Sequence, residues 1–356
     1  MPFSEPIFVV DGNCEKSTMR NRRFLECTFV LVLVTVIILQ WIRYKNLQEE
    51  WLSEQRSTII QRLDENARQT KLISEDMRVA IKSIETQKRM LLQMQGKDYY
   101  RNKPTIYAIT PTFARFVQKA ELTRLAQTFV HIPTFHWILV EDSTNKTNLV
   151  TNLLMGSGLA FTHLAIPTPP NYKLGRNDPN WKKPRGVEQR NAGLKWLRDN
   201  LTPDDEGIVF FADDDNTYSI KLFEEMEKIK HVGVWPVGLV GGLMVEKPIC
   251  DEATRKVVGF NSAWKSDRPF PIDMAGFAFK LKLLFQHKDA WFSFEIQSGY
   301  QESEILRHIT TRDQLEPLAD CCKKVYVWHT RTEPPKLSAE QLLTKKGKKS
   351  NEGIEV

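Results

Sequence analysis

Cysteine is scarce: five in 356 residues exclude a scaffold built on disulfides. No Walker sequence occurs, and Gly156-Ser157-Gly158 lacks both the third glycine and the preceding strand of a dinucleotide fingerprint, so no glycine-rich phosphate cradle is expected. The absence of internal repeats excludes solenoids and propellers. Charge of one sign is also lacking. The 50 Lys and Arg stand against 44 Asp and Glu, and much of the excess of +6 lies in the two tails, which argues against a nucleic-acid partner. Between residues 47 and 95 there is neither proline nor glycine, so nothing there interrupts a helix.

What is present begins with FLECTFVLVLVTVIILQWI, residues 24 to 42, in which Glu26 is the only ionised group. Nineteen residues at about 1.5 Å each match a hydrocarbon layer of about 30 Å. The run exceeds the apolar core of a cleaved signal peptide and no small-residue cleavage site follows, so it reads as an uncleaved anchor. Lys16, Arg20, Arg22 and Arg23 precede it, while Glu49, Glu50 and Glu54 follow Arg43 and Lys45. By the positive-inside rule residues 1–23 are cytoplasmic and the chain from 43 onward is lumenal, a single-pass type II membrane protein. Residues 43–103 then form a helical stem. Ile60, Leu63, Ala67, Met77, Ile81, Ile84 and Leu91 follow three-four spacing, broken by Thr70, Ser74 and Lys88, which fits a weak coiled-coil seam or one amphipathic helix equally.

Two sequons, at Asn145 and Asn200, are candidate glycan acceptors on the lumenal side. With Cys14 cytoplasmic and Cys27 in the span, Cys250, Cys321 and Cys322 remain there. Vicinal cysteines rarely bridge each other, which leaves open a Cys250 bridge to either neighbour or a link between chains.

After Pro104, short β-rich runs (105–110, 136–142, 161–166, 207–215) alternate with helical patterns near 116–130, 147–157 and 186–200. This alternation predicts an α/β fold, a parallel sheet with helices on both faces and a ligand beyond the carboxyl ends of its strands. Residues 104–231 form that subdomain. Glycine and proline punctuate 232–336 into a second, mixed subregion with a helix near 302–310, and 337–356 is a polar, solvated tail containing KKGKK.

The chemistry concentrates in VFFADDDNTY, where Asp213, Asp214 and Asp215 emerge from a buried strand. Three carboxylates in a row repel one another, and a hard divalent cation with oxygen ligands supplies the compensation. Taken alone, the triplet is as readily a helix cap with two solvated carboxylates. PRGVEQRN adds Arg185 and Arg190 at a helix start, where anions are favoured, and VWHTRTEPP adds His329 and Arg331, predicted to lie on one side of an extended segment. Metal, arginines and histidine together describe a diphosphate site, and Glu302, at the start of a helix, is the best-placed base.

PTIYAITPTFAR, HWILVED, PRGVEQRN, FFADDDNTY, WPVGLVGG, RPFPIDMAGFA, YQES and VWHTRTEPP, in this order, resemble the β-1,3-glucuronosyltransferases over residues 104–334. The resemblance implies a nucleotide-sugar-binding, Rossmann-like fold of the GT-A type with a mixed acceptor-binding subregion. It further implies manganese (Mn2+), a homodimer in the Golgi membrane, and inverting transfer of glucuronic acid from UDP-glucuronate to the terminal galactose of a Gal-Gal-Xyl core-protein acceptor. Carried over position by position, it makes Asp215 the metal ligand and Glu302 the base. Phe113, Asp142, Arg185, Arg190, Asp213, Asp214, His329 and Arg331 would bind the donor, and Glu246, Trp264, Arg268 and Asp273 the acceptor. Phe113 departs from the tyrosine often found beside the uracil, which keeps the stack and removes a hydroxyl. Competing readings are transfer to N-acetyllactosamine ends, a lectin-like protein without turnover, and a metal phosphohydrolase, for which no second carboxylate group or nucleophile motif is present.

Overall fold

The computed structural model describes residues 13–94, 103–175, 178–179, 182–333 and 335–356, and within the first helix the side chains of residues 31–74 and 77. The chain divides into two compact units, Met1–Leu91 and Leu92–Val356.

In the first unit α1 (Asn13–Met94) runs unbroken through the expected anchor and stem. Its described side chains from 31 to 74 are all exposed, and the large apolar ones between 31 and 42 are 44–71% exposed. Among the described residues no helix is long and apolar enough to cross a membrane. The expected span starts at 24, and the side chains of 24–30 lie outside the described residues, as do tail residues 1–12, the stem end at 95–102, and the side chains of Ile81, Ile84 and Leu91.

The second unit opens with three strand-helix repeats, β1 (Thr105–Thr112), α2 (Gln118–Phe129), β2 (Phe135–Glu141), α3 (Asn148–Gly156), β3 (Ala160–Ala165) and α4 (Val187–Asn200), leading to β4 (Gly207–Phe211). These four strands are parallel, with Ile109 level with Ile138 on one side and Phe211 on the other. Both faces are buried, so the strands are continuously apolar and successive residues alternate between two cores. Tyr107, Ile109, Val209 and Phe211 face α4, while Ile106, Ala108, Ile208 and Phe210 face α2 and α3. At Gly193 of α4 any Cβ would lie 2.6 Å from Ile109 Cγ2, so only glycine lets the helix lie this close to β1.

The chain continues through β5 (Thr217–Tyr218), α5 (Ile220–Met226), β6 (Val232–Val234), β7 (Val237–Val240), β8 (Leu243–Asp251) and β9 (Lys256–Asn261). It then forms β10 (Phe277–Lys280), α6 (Leu281–Gln286), α7 (Gln301–Ile309), β11 (Leu315–Pro317), α8 (Leu318–Cys322), β12 (Val327–Trp328) and α9 (Ser338–Lys345). One seven-stranded sheet has the order β11-β6-β10-β4-β1-β2-β3, and a five-stranded sheet the order β5-β12-β7-β8-β9.

The four strands of the first subdomain are parallel as the alternation predicts, and the large sheet as a whole is mixed because β10, from the second subregion, enters antiparallel to β4. Its first residue therefore sits near the carboxyl end of β4, and the loop before it, carrying Arg268 and Asp273, is delivered to the edge where β4 releases the aspartates. Strand β4 itself ends at Phe211, four residues sooner than the predicted 215. The small sheet brings β12 beside β5, immediately after the triplet. A bridge joins Cys250 to Cys321 and leaves Cys322 buried and free.

Candidate active site

The site lies beyond the carboxyl ends of β1, β2 and β4, where the sheet order places a crevice. The triplet is held there by its backbone. Asp215 carbonyl oxygen accepts from Arg124 Nη2 at 2.8 Å and from Thr330 Oγ1 at 2.6 Å, and Tyr218 hydroxyl donates to Asp213 O at 3.1 Å.

The three carboxylates are not equivalent. Asp213 pairs with Arg190 Nη2. Asp214 lies 2.8 Å from Arg115 Nη1 and accepts from Thr112 Oγ1 at 2.6 Å. Asp215 has no cation on its carboxylate among the described residues. Burial, then Asp213 and Asp214, push its pKa up to about 6. An oxygen pair held this way, next to two carboxylates already paired with arginines, suits a hard divalent cation. No group of three or more His, Cys, Asp or Glu that could hold a metal converges among the described residues. The donor set is thus a single carboxylate, and a cation held there would have to draw the rest of its shell from ligand and water oxygens.

Arg190 is 7% exposed, and its Nη1 donates to Arg185 O at 2.9 Å. Gly186 between them is left-handed (φ 72°), and a Cβ there would stand 2.6 Å from Arg190 Nη1. Arg185 itself is exposed with no side-chain partner among the described residues. Asp142 does not join the cluster through a contact of its own. Its oxygens accept from Thr168 N at 2.7 Å and Thr168 Oγ1 at 2.8 Å, which ties β2 to the loop before α4. Phe113 is 47% exposed at the end of β1.

His329 and Arg331 do not continue an extended strand with both side chains on one side, contrary to the alternation read from the sequence. Strand β12 stops at Trp328, and Thr330 N donates to Trp328 O at 3.0 Å, a tight turn fixed by the pull of Thr330 Oγ1 on Asp215 O. His329 Nδ1 therefore faces Asp273 Oδ2 at 3.2 Å, whereas Arg331 is exposed with no partner among the described residues. The pairing with Asp273 raises the His329 pKa to about 9, so the ring is cationic at neutral pH. Burial alone would raise the Asp273 pKa, but His329 and the Ala275 N–H hold it below the usual value.

On the far side, Ser303 Oγ bonds both the N–H and the C=O of Phe270, which pins the start of α7 to the loop that carries Arg268. Arg268 is 4% exposed and donates to Gly299 O at 2.9 Å and to Lys265 O at 3.2 Å. Its guanidinium stands 3.5 Å from Glu302 Oε2 and 3.9 Å from Glu246 Oε1, too far for a hydrogen bond to Glu302. Glu302 Oε2 is buried without a hydrogen-bond partner, and 15% of the side chain stays open. Burial, moderated by Arg268, pushes the Glu302 pKa up to about 7, where a general base is half ionised at neutral pH. Glu246 on β8 accepts from Ser262 Oγ, and burial raises its pKa. Trp264 is 41% exposed, with Gly299 (φ 83°) under its indole: a Cβ there would lie 2.7 Å from Nε1.

Outside the cluster, Asn145 is exposed on the loop after β2, and Asn200 donates to Trp196 O at 2.9 Å at the end of α4. Several residues that hold the site had no role from the sequence, among them Thr112, Arg115, Arg124, Thr168 and Thr330. Arg115 alone left a local signal, a basic residue in PTFAR between a strand end and a helix start.

Residues 125–333 match Glycosyltransferase family 43. A Drosophila melanogaster protein named galactosylgalactosylxylosylprotein 3-beta-glucuronosyltransferase I is 60% identical over 257 residues, covering 71% of this chain and 84% of that protein. A Caenorhabditis elegans protein with the same enzyme name is 50% identical over 269 residues, 75% of each. Human galactosylgalactosylxylosylprotein 3-beta-glucuronosyltransferase 3 is 51% identical over 263 residues, 71% of this chain and 78% of that protein.

Proposed function

Because the chain belongs to glycosyltransferase family 43, we propose that the crevice described above performs its reaction: transfer of a glucuronyl group to the galactosylgalactosylxylosyl chain of a protein. The donor is UDP-glucuronate, and the acceptor is the 3-hydroxyl of the terminal galactose. The observation that carries the division of labour is the unequal triplet, with Asp213 and Asp214 paired to arginines and Asp215 left without a cation.

Asp215 would hold Mn2+, which supplies positive charge to the diphosphate when bound. Asp213, Asp214, Asp142, Arg185 and Phe113 line the nucleotide end. Arg190 is placed to meet the glucuronate carboxylate through its unpaired Nε. Cationic His329 would meet the charge that develops as the bond from the anomeric carbon to the diphosphate oxygen breaks, and exposed Arg331 would reach the donor separately. Glu302 takes the proton of the acceptor hydroxyl while that oxygen attacks the anomeric carbon from the opposite side, so the configuration inverts. Glu246, Arg268, Asp273 and the Trp264 face orient the acceptor sugars.

The exposed apolar sleeve of α1 supports a membrane anchor, and the positive-inside pattern supports a lumenal catalytic unit in the Golgi, working as a homodimer. Purified residues 92–356, incubated with UDP-glucuronate, Mn2+ and galactosyl-galactosyl-xylose, should release UDP only when the acceptor is present. Release with a lactosamine acceptor alone would move the acceptor assignment, and release without any acceptor would replace transfer by hydrolysis.

A further inference from the structure

The segment between β1 and α2 holds a cation that the reaction described above leaves without a role. Arg115 Nη1 lies 2.8 Å from Asp214 Oδ2, and Nη2 bonds Glu121 Oε2. Both carboxylates are buried, 7% and 2% exposed, and a single guanidinium bridges them as their shared counter-charge. Thr112 Oγ1, which donates to Asp214, itself accepts from Gln118 Nε2 at 3.1 Å, so the aspartate is fixed from two sides.

The same guanidinium lies over the Phe113 ring, 4.6 Å from its centroid, and Nη1 also donates to Phe113 O at 3.2 Å. One face of that ring is therefore covered by a cation, while the residue remains 47% exposed. A phenylalanine cannot set its own orientation by a hydrogen bond from the ring. Its placement comes from packing, and on an exposed turn the flat guanidinium is the packing partner.

We propose that Arg115 is a positioning residue for the donor nucleotide, acting through two other side chains. It backs the Phe113 ring so that the open face is a preformed platform for a planar base, and it fixes the Asp214 carboxylate beside that platform. This rests on the nucleotide-donor reading of the crevice. Lysine cannot replace it: an ammonium has no planar fork to reach Asp214 and Glu121 together, and no flat face to lay on a ring.

The test is titration of UDP in EDTA, followed by donor and acceptor kinetics with Mn2+, on wild type, Arg115→Lys, Phe113→Leu and the double variant. Arg115→Lys is expected to weaken UDP binding and raise the donor KM by about tenfold, with kcat and acceptor KM within about twofold. In the Phe113→Leu background the same change should cost less than about threefold, because the platform is already lost. Glu121→Gln, which loosens the guanidinium while keeping its charge, is the second variant should Arg115→Lys fail to fold; it should raise the donor KM with kcat unchanged. Folded Arg115→Lys, or in its place Glu121→Gln, with wild-type UDP affinity overturns the proposal, as does full additivity with Phe113→Leu. A wild-type protein that binds no UDP would overturn the nucleotide reading itself, before any variant is compared.

Discussion

The two sides of the crevice handle charge differently. On the donor side, Arg190 and Arg115 bond directly to Asp213 and Asp214, and Asp142 is saturated by Thr168. On the acceptor side, Arg268 hangs back 3.5 Å from Glu302 and 3.9 Å from Glu246. Tight pairs fix the carboxylates in place and occupy their oxygens, which makes a rigid surface for a nucleotide. A base needs the opposite, an anion near enough to a cation to exist and far enough to keep its affinity for a proton. The contrast fits the roles proposed above, in which the tightly paired groups bind and Glu302 reacts.

Replacing Glu302 by Gln should break the comparison most severely. The expected loss in kcat is on the order of 10³, with UDP affinity within about twofold of wild type, by single-turnover kinetics and calorimetry. Near-normal turnover would remove Glu302 from its role. Next in size is Asp215→Ala, which should abolish the strengthening of UDP binding by Mn2+ and lower kcat/KM by about 10²-fold, with UDP binding in EDTA unchanged.

A subtler test is the acid limb of the pH profile. With Glu302 near 7, kcat/KM should fall as pH drops through about 7, because the base becomes protonated. Arg268 lowers that pKa, so Arg268→Met should move the limb to higher pH; a limb that stays put would mean that the 3.5 Å separation does not tune the base. The smallest effect is expected from Phe113→Tyr. Adding a hydroxyl to a ring already backed by Arg115 should change the donor KM by less than about threefold.

The elements that carry the site were legible where their signals are local. The four parallel strands announce themselves as unbroken apolar runs, and Glu302 follows Gly299 at a helix start. The connections that set side-chain direction were not. Thr330 Oγ1 reaches Asp215 across 115 residues, Thr112 reaches Asp214 across 102, and Arg124 reaches Asp215 across 91. No periodicity records such pairings, and the first of them accompanies the turn that ends the extended segment after Trp328. The cysteine pattern likewise left the bridge open between two neighbours; the left-handed backbone from Ala319 to Cys322 decides it by turning Cys321 toward β8 and Cys322 inward.

That bridge has a mechanical consequence. Cys250 lies near the end of the strand that carries Glu246, and Cys321 precedes the short span leading to His329, so a covalent strut joins the carrier of a carboxylate assigned to the acceptor to the carrier of a cation assigned to the donor. The two sides cannot swing apart there like the jaws of a clamp. Chemical reduction should slacken the grip on both substrates at once.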